Sequence, residues 1–270
     1  MTPNGFNQIN TFIFDLDGTL LNNHHEIADE TVSAIAALRE RKANLILATG
    51  RHIKDAGAYL ERLGGDMAAI TSNGANVHDR HGNLVYNQRL PLSINQALLP
   101  LGQAAKVHNN VFTEDEWLVC GPNQTMLNSH AYSKFFYRHT DHAEMLEAPA
   151  LKILFHGDHG PLRALREQIQ LAAPAPINIT FSDENHLEIM QNTISKGHSL
   201  KILLEKLALP IESTMAFGDG MNDVELFKAA AAPVVMGNAS NALKELFPQA
   251  HRAGHNHEQG VAQFLREFIL

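Results

Sequence analysis

Hydrophobic and polar positions alternate along this chain with two different periods. Phe12-Ile13-Phe14 is an apolar run that ends abruptly at Asp15, and it reads as a buried strand. Val32, Ile35 and Leu38 then recur at helical spacing, and "LILATG" predicts a second buried strand ending in a turn. Ile53, Ala56, Tyr59, Leu60 and Leu63 predict another helix, and "AAITSNG" a strand closed by a polar turn. "NVHDRHGNLVY" predicts a hairpin turning at His81-Gly82-Asn83. The same grammar returns near the C-terminus. Leu200, Leu203, Leu204 and Leu207 mark a helix, "TMAFGDG" a strand, "MNDVELFKAA" a helix and "PVVMGN" a strand. Val261, Phe264, Leu265, Phe268 and Ile269 share one face of a final helix. Strands alternating with helices predict parallel βαβ units, so both ends are expected to build one Rossmann-like α/β sheet.

The middle of the chain differs. "KILFHGD", "NITFS" and "HLEIM" are strand-like, "PLRALREQIQLA" is helical, and "VFTEDEWLV" is hairpin-like, with Phe112 and Trp117 read as core aromatics or, as the alternative, substrate contacts. This predicts an α+β module inserted at 85–192, with 1–84 and 193–270 forming a discontinuous core. The length of 270 residues is ample for two such domains.

Composition narrows the class. A net charge of -8 argues against wholesale nucleic-acid binding, which needs a basic footprint. Cys120 is the only cysteine, so no intrachain disulfide can form, and it reads as a small buried residue. No apolar run approaches the ~20 residues of a membrane span, and no Lys or Arg precedes Arg39 to open a secretory signal. A cytoplasmic protein without membrane attachment is expected; the oligomeric state is left open.

Four polar clusters stand at predicted strand ends or helix starts: "DLDGT" at 15–19, "TGR" at 49–51, "SKG" at 195–197 and "GDGMND" at 218–223. Ligands of open parallel sheets bind at such carboxyl ends. Residues i and i+2 of a strand face the same side, so Asp15 and Asp17 should project together. Asp219 and Asp223 add further carboxylates, and the convergence of like charges is tolerable with a hard divalent ion, with Mg²⁺ the expected one. Thr49, Lys196 and Asn222 supply the opposite character, donors and positive charge for an anion. Acid for a metal beside donors for an anion describes a phosphate-ester site. Each cluster also has a plainer reading: an aspartate-rich turn at 15–19, a solvated helix lysine at 196, helix caps at 222 and 223. Asn73 and Gly74 read as either a simple turn or residues orienting a loop that faces the substrate, and Arg51 as either a substrate contact or a structural residue.

Taken in order, DxDGT, T-G-R, K-G and G-D-x-x-N-D resemble the haloacid dehalogenase superfamily, specifically its Cof-like phosphatases with a large α/β cap. The resemblance implies Asp15 as a nucleophile forming an aspartyl-phosphate and Asp17 as acid, then base. It implies Mg²⁺ held by Asp15, the Asp17 carbonyl and Asp219, with Asp223 as a ligand or support. Thr49, Lys196 and Asn222, helped by backbone at Leu16 and Gly50, would hold the phosphoryl oxygens. The shuttle role asks that Asp17 keep a pKa above the ordinary ~3.9 of an aspartate. A Mg²⁺-dependent phosphatase of small phosphorylated metabolites, sugar phosphates or phosphorylated cofactor precursors, is therefore expected, its mobile cap closing over substrate. The rivals are a phosphomutase using the same phospho-aspartate and a non-catalytic metabolite-binding protein. One stretch departs from the family pattern: "AHRAGHNHEQ" is polar where a short strand usually precedes the last helix, so loop is expected there. Its His251, His255 and His257, like the His24-His25 pair, are not read as a metal site.

Overall fold

The computed structural model of the protein describes residues 6–270. The first five residues of the stretch assigned to the core lie outside that description. The described residues divide into two compact units, one running to Tyr86 and resuming at Ser195–Leu270, the other comprising Asn87–Ile194.

The first unit opens with β1 (Thr11–Phe14), α1 (Asp29–Glu40), β2 (Asn44–Ala48), α2 (Ile53–Arg62), β3 (Ala68–Thr71), β4 (Asn76–His78) and β5 (Leu84–Asn87). The second holds α3 (Leu92–Ala104), β6 (His108–Phe112), β7 (Trp117–Val119), α4 (Gln124–Ser129), β8 (Arg138–His139), α5 (His142–Glu147), β9 (Lys152–His156), α6 (His159–Ala172), β10 (Ile177–Asp183) and β11 (His186–Gln191). The chain then returns through α7 (Lys196–Leu207), β12 (Thr214–Gly218), α8 (Val224–Ala229), β13 (Ala232–Val235), α9 (Asn241–Leu246), β14 (His251–Arg252) and α10 (Gly260–Phe268).

In the first unit the strand order is β14-β13-β12-β1-β2-β3-β4-β5, parallel from β14 through β3. The inner strands β1, β2, β3 and β12 are buried on both faces because helices cover both. Phe12 and Phe14 pack with Ile35 and Leu38 of α1, Tyr59 of α2 and Phe264 of α10. Ile13 points to the opposite layer, with Leu200 and Leu203 of α7 and Leu226 of α8. Chain order leaves β1 in both directions, to β2 on one side and β12 on the other. That switch point is where an α/β sheet opens a crevice.

The second unit is an antiparallel sheet in the order β10-β11-β9-β6-β7-β8, with only β7 and β8 parallel. Val111, Ile153, Phe155, Leu187 and Ile189 pack on α3, α5 and α6. The other face carries the stacked rings of Phe112 and Trp117, 5.3 Å apart, with Val119, Met126 and Leu154. Helix α3 is not among the predicted elements, although Ile94, Leu98 and Leu101 recur at helical spacing; it also accommodates Pro100, a residue that ordinarily interrupts a helix.

Two expectations are corrected. Cys120 is exposed. It is the first residue after β7, whose Val119 points inward, so alternation turns the next side chain out. The polar stretch after α9 does contain a strand: His251 and Arg252 pair in parallel with Val234 and Val235. An edge strand is held through its backbone, so both side chains can be exposed and polar. Among the described residues no helix is long and apolar enough to cross a membrane.

Candidate active site

Parallel pairing of β12, β1 and β2 aligns Phe217, Phe14 and Leu47 side by side. The residues that follow them therefore emerge at one end of the sheet. Asp15 continues the ladder by donating its N–H to the Phe217 carbonyl at 2.9 Å. Just beyond, the chain curls through Leu16–Leu20. Gly18 sits at φ 74°, and a Cβ there would lie 2.2 Å from Asp219 Oδ2, so only glycine lets this loop approach β12.

Lys196 is the first residue of α7, capped by Ser195, whose side chain accepts the His198 N–H at 3.1 Å. Its reach depends on the next residue. A Cβ on Gly197 would lie 2.0 Å from the Glu225 carbonyl, so glycine allows α7 to press against α8 beside Asp223. Fully buried, Lys196 Nζ donates to Asp15 at 2.5 Å and to Asp223 at 2.7 Å. The second Asp223 oxygen accepts the N–H groups of Asp219 and Gly220 at 3.1 and 3.0 Å. Asp223 thus organises the turn as well as contributing charge.

Oxygens of Asp15, Asp219 and Asp223 lie within 4.8 Å of one another. Three carboxylates against one ammonium leave a formal charge of -2, the charge a divalent cation balances. Burial pushes the Asp15 pKa well up; Lys196 opposes this, while Asp223 and Asp219 add to it. Burial, then the Asp223 charge, lifts Asp219 to about 7. Lys196 is itself held charged: burial opposes the charge, but Asp15 and Asp223 override it. An all-oxygen donor set strained by its own charge fits a hard divalent ion.

Asp17 behaves otherwise. Its side chain is half-exposed, and Arg51 Nε and Nη2 donate to its two oxygens at 2.8 and 2.7 Å. Arg51 also bonds the buried Asp55 at 3.0 Å. Desolvation pushes the Asp17 pKa up, but the guanidinium outweighs it, so the pKa is lowered. The condition set for a proton shuttle, a raised value, is not met while Arg51 holds both oxygens. A cation from the neighbouring strand end, not a fellow carboxylate, is its closest charged partner.

The remaining predicted residues surround this cluster. Thr49 is fully buried and its hydroxyl accepts the Arg51 N–H at 3.1 Å. Leu16 is buried, while Gly50 is partly exposed against the Asn73 side chain. Asn222 Nδ2 donates to Asn73 Oδ1 at 3.0 Å. Asn73 lies in a buried Ser72–Gly74 turn with a left-handed φ of 55°, and that turn also meets Asn222, so both readings of this residue fit.

Three partners were missed. Thr19 Oγ1 donates to Asp219 at 3.3 Å, Asn238 bonds the same carboxylate at 3.2 Å, and Asn256 supports Asn238 through its N–H at 3.0 Å. Thr19 was visible inside DLDGT. Asn238 and Asn256 follow the ends of β13 and β14, and strand-end position was the only signal they carried.

Comparison with known proteins agrees with this architecture. The family model of haloacid dehalogenase-like hydrolases matches residues 12–265. An HMP-PP phosphatase of Citrobacter koseri is 34% identical over 256 residues, covering 95% of this chain and 94% of the relative. A haloacid dehalogenase-like hydrolase structure from Bacteroides thetaiotaomicron superposes with a TM-score of 0.85 at 25% identity, covering 96% of this chain and 98% of the other. One from B. subtilis gives 0.87 at 24% identity, covering 97% and 100%, and speaks to the fold alone. The chain belongs to the haloacid dehalogenase-like hydrolases, in their Cof-like phosphatase branch.

Proposed function

We propose that this protein is a Mg²⁺-dependent phosphatase of small phosphorylated metabolites that works through an aspartyl-phosphate on Asp15. Residues 1–84 and 193–270 take the part of the catalytic core, and 85–192 that of the inserted cap. The observation that carries the reading is the meeting of Asp15 and Asp223 on the buried Lys196 ammonium, with oxygens of Asp15, Asp219 and Asp223 within 4.8 Å of one another. Asp15, the Asp17 carbonyl and Asp219 would hold the Mg²⁺, with Asp223 a further ligand or support, and the ion would supply charge to offset that of an approaching phosphate.

The chain's own residues account for the rest. An Asp15 oxygen forms a bond to phosphorus as the ester P–O bond breaks, and Lys196 offsets the anion–anion repulsion. Asp17 gives a proton to the departing oxygen, then takes one from the water that cleaves the acyl phosphate and frees Asp15. Both Asp17 oxygens are held by Arg51, so either transfer requires that pair to open at one atom. Thr49, Asn222, and the backbone of Leu16 and Gly50 hold the phosphoryl oxygens.

The named activity of the 34%-identical relatives makes HMP-PP the first candidate substrate. The test is inorganic phosphate release from HMP-PP and from a panel of phosphorylated metabolites, with Mg²⁺ or with EDTA. Asp15→Asn should lower kcat on the order of 10⁴-fold or more while circular dichroism stays native. Silence across the panel with Mg²⁺, or turnover surviving in Asp15→Asn, refutes the proposal; isomer formation from a sugar 1-phosphate without phosphate release replaces it with a mutase.

A further inference from the structure

The asparagine after β13 makes contacts that capping or loop packing does not explain. Asn238 Nδ2 donates to the Gly18 carbonyl at 2.8 Å and to Asp219 Oδ2 at 3.2 Å. Its Oδ1 accepts the Asn256 N–H at 3.0 Å. This pattern fixes the amide's orientation, because a flipped amide would set its oxygen against two acceptors. Asn256 in turn donates its side-chain Nδ2 to the Leu21 carbonyl at 2.8 Å. The two asparagines therefore hold the loop that follows Asp15 at two points, its middle at Gly18 and its exit at Leu21. Asn256 belongs to the histidine-rich stretch that the family resemblance left without a role.

Of the two asparagines, Asn238 is the one that bonds a carboxylate of the acidic cluster. Asp219 Oδ1 accepts from Thr19 and Oδ2 from Asn238, so its plane is set by one donor from the loop and one from beyond β13. Outer partners that orient a ligating carboxylate commonly change metal affinity about 10–100-fold when removed.

We propose that Asn238, held by the Asn256 N–H, is a positioning residue that sets the Asp219 carboxylate for cation binding. This rests on the cluster being a Mg²⁺ site. The experiment is isothermal titration of Mg²⁺ into the full-length protein without substrate, beside kcat/KM for phosphate release as a function of Mg²⁺. Asn238→Ala should weaken Mg²⁺ binding about tenfold, and its deficit in kcat/KM should shrink as Mg²⁺ is raised. Asn256→Ala loses a loop contact too, at Leu21, but keeps its N–H and the Asn238 donors, so its Mg²⁺ affinity should stay within about twofold. Thermal melts in EDTA report any folding loss in either variant. Equal weakening in both variants overturns the proposal, since the loop alone would then be responsible; so does wild-type affinity in Asn238→Ala. A wild-type protein that binds no Mg²⁺ refutes the reading of the cluster itself and this inference with it.

Discussion

The two units handle buried charge in opposite ways. In the first, Lys196 is outnumbered by Asp15, Asp219 and Asp223, gathered at one end of a parallel sheet. In the second, Lys152 and Glu188 form a buried pair at 3.0 Å on the face of an antiparallel sheet, the ammonium 4.8 Å from the Phe112 ring centre. One arrangement carries an excess that a ligand can share; the other is balanced within the protein. Desolvation penalises both, but only the unbalanced cluster gains when a cation arrives.

The strongest test of that contrast removes each lysine. Lys196→Met should cut kcat about 10³-fold and, in EDTA, lower the unfolding free energy by about 3–5 kcal/mol, the cost of stranding buried carboxylates. Adding Mg²⁺ should restore part of the stability. Lys152→Met should cost about 3 kcal/mol by urea denaturation, and Mg²⁺ should restore none of it. The double variant Lys152→Met/Glu188→Leu should return to within about 1 kcal/mol of wild type, because an apolar pair replaces a balanced one. If Mg²⁺ rescues Lys152→Met, the distinction between the units fails.

A smaller effect sharpens the comparison through pH. Asp219, at about 7, binds its proton more tightly when folded than the ordinary value of 3.8 implies. Its contribution to stability is therefore present below about pH 4 and lost as pH rises toward about 7 in metal-free protein. His156 lies in register between His108 and His186 on neighbouring strands. Burial, then those two imidazoles, push its pKa below the ordinary 6.5, so stability falls as pH drops through 6.5. Amide-exchange protection in EDTA should accordingly decline in β12 between pH 5 and 7 and decline in β9 between pH 7 and 5. Slopes of the same sign in both strands would contradict the account. Smallest of all, Cys120→Ser should move stability by less than about 0.5 kcal/mol, and the native thiol should react readily with a disulfide reagent because it is exposed.

How legible each feature was follows from how local its cause is. The strands of the first unit were readable because burial on both faces leaves unbroken apolar runs such as Phe12-Ile13-Phe14 and Leu45-Ile46-Leu47. Glycine at 18 and 197 was readable as motif, but the reason for each is a clash with Asp219 or Glu225, residues distant in the chain. Helix α3 carries a legible spacing at Ile94, Leu98 and Leu101, whereas β14 was hidden by polar side chains that an edge strand is free to carry.

The order of strands, helices and four polar clusters was determined by the sequence itself, because hydrophobic periodicity and turn chemistry act over a few neighbours. Which charges meet was decided only in three dimensions. Arg51 claims Asp17, Lys196 bridges Asp15 and Asp223, and Asn238 reaches Asp219. Electrostatic and hydrogen-bonding energies depend on distance through space, and parallel crossovers bring together residues as far apart in the chain as Thr19 and Asp219.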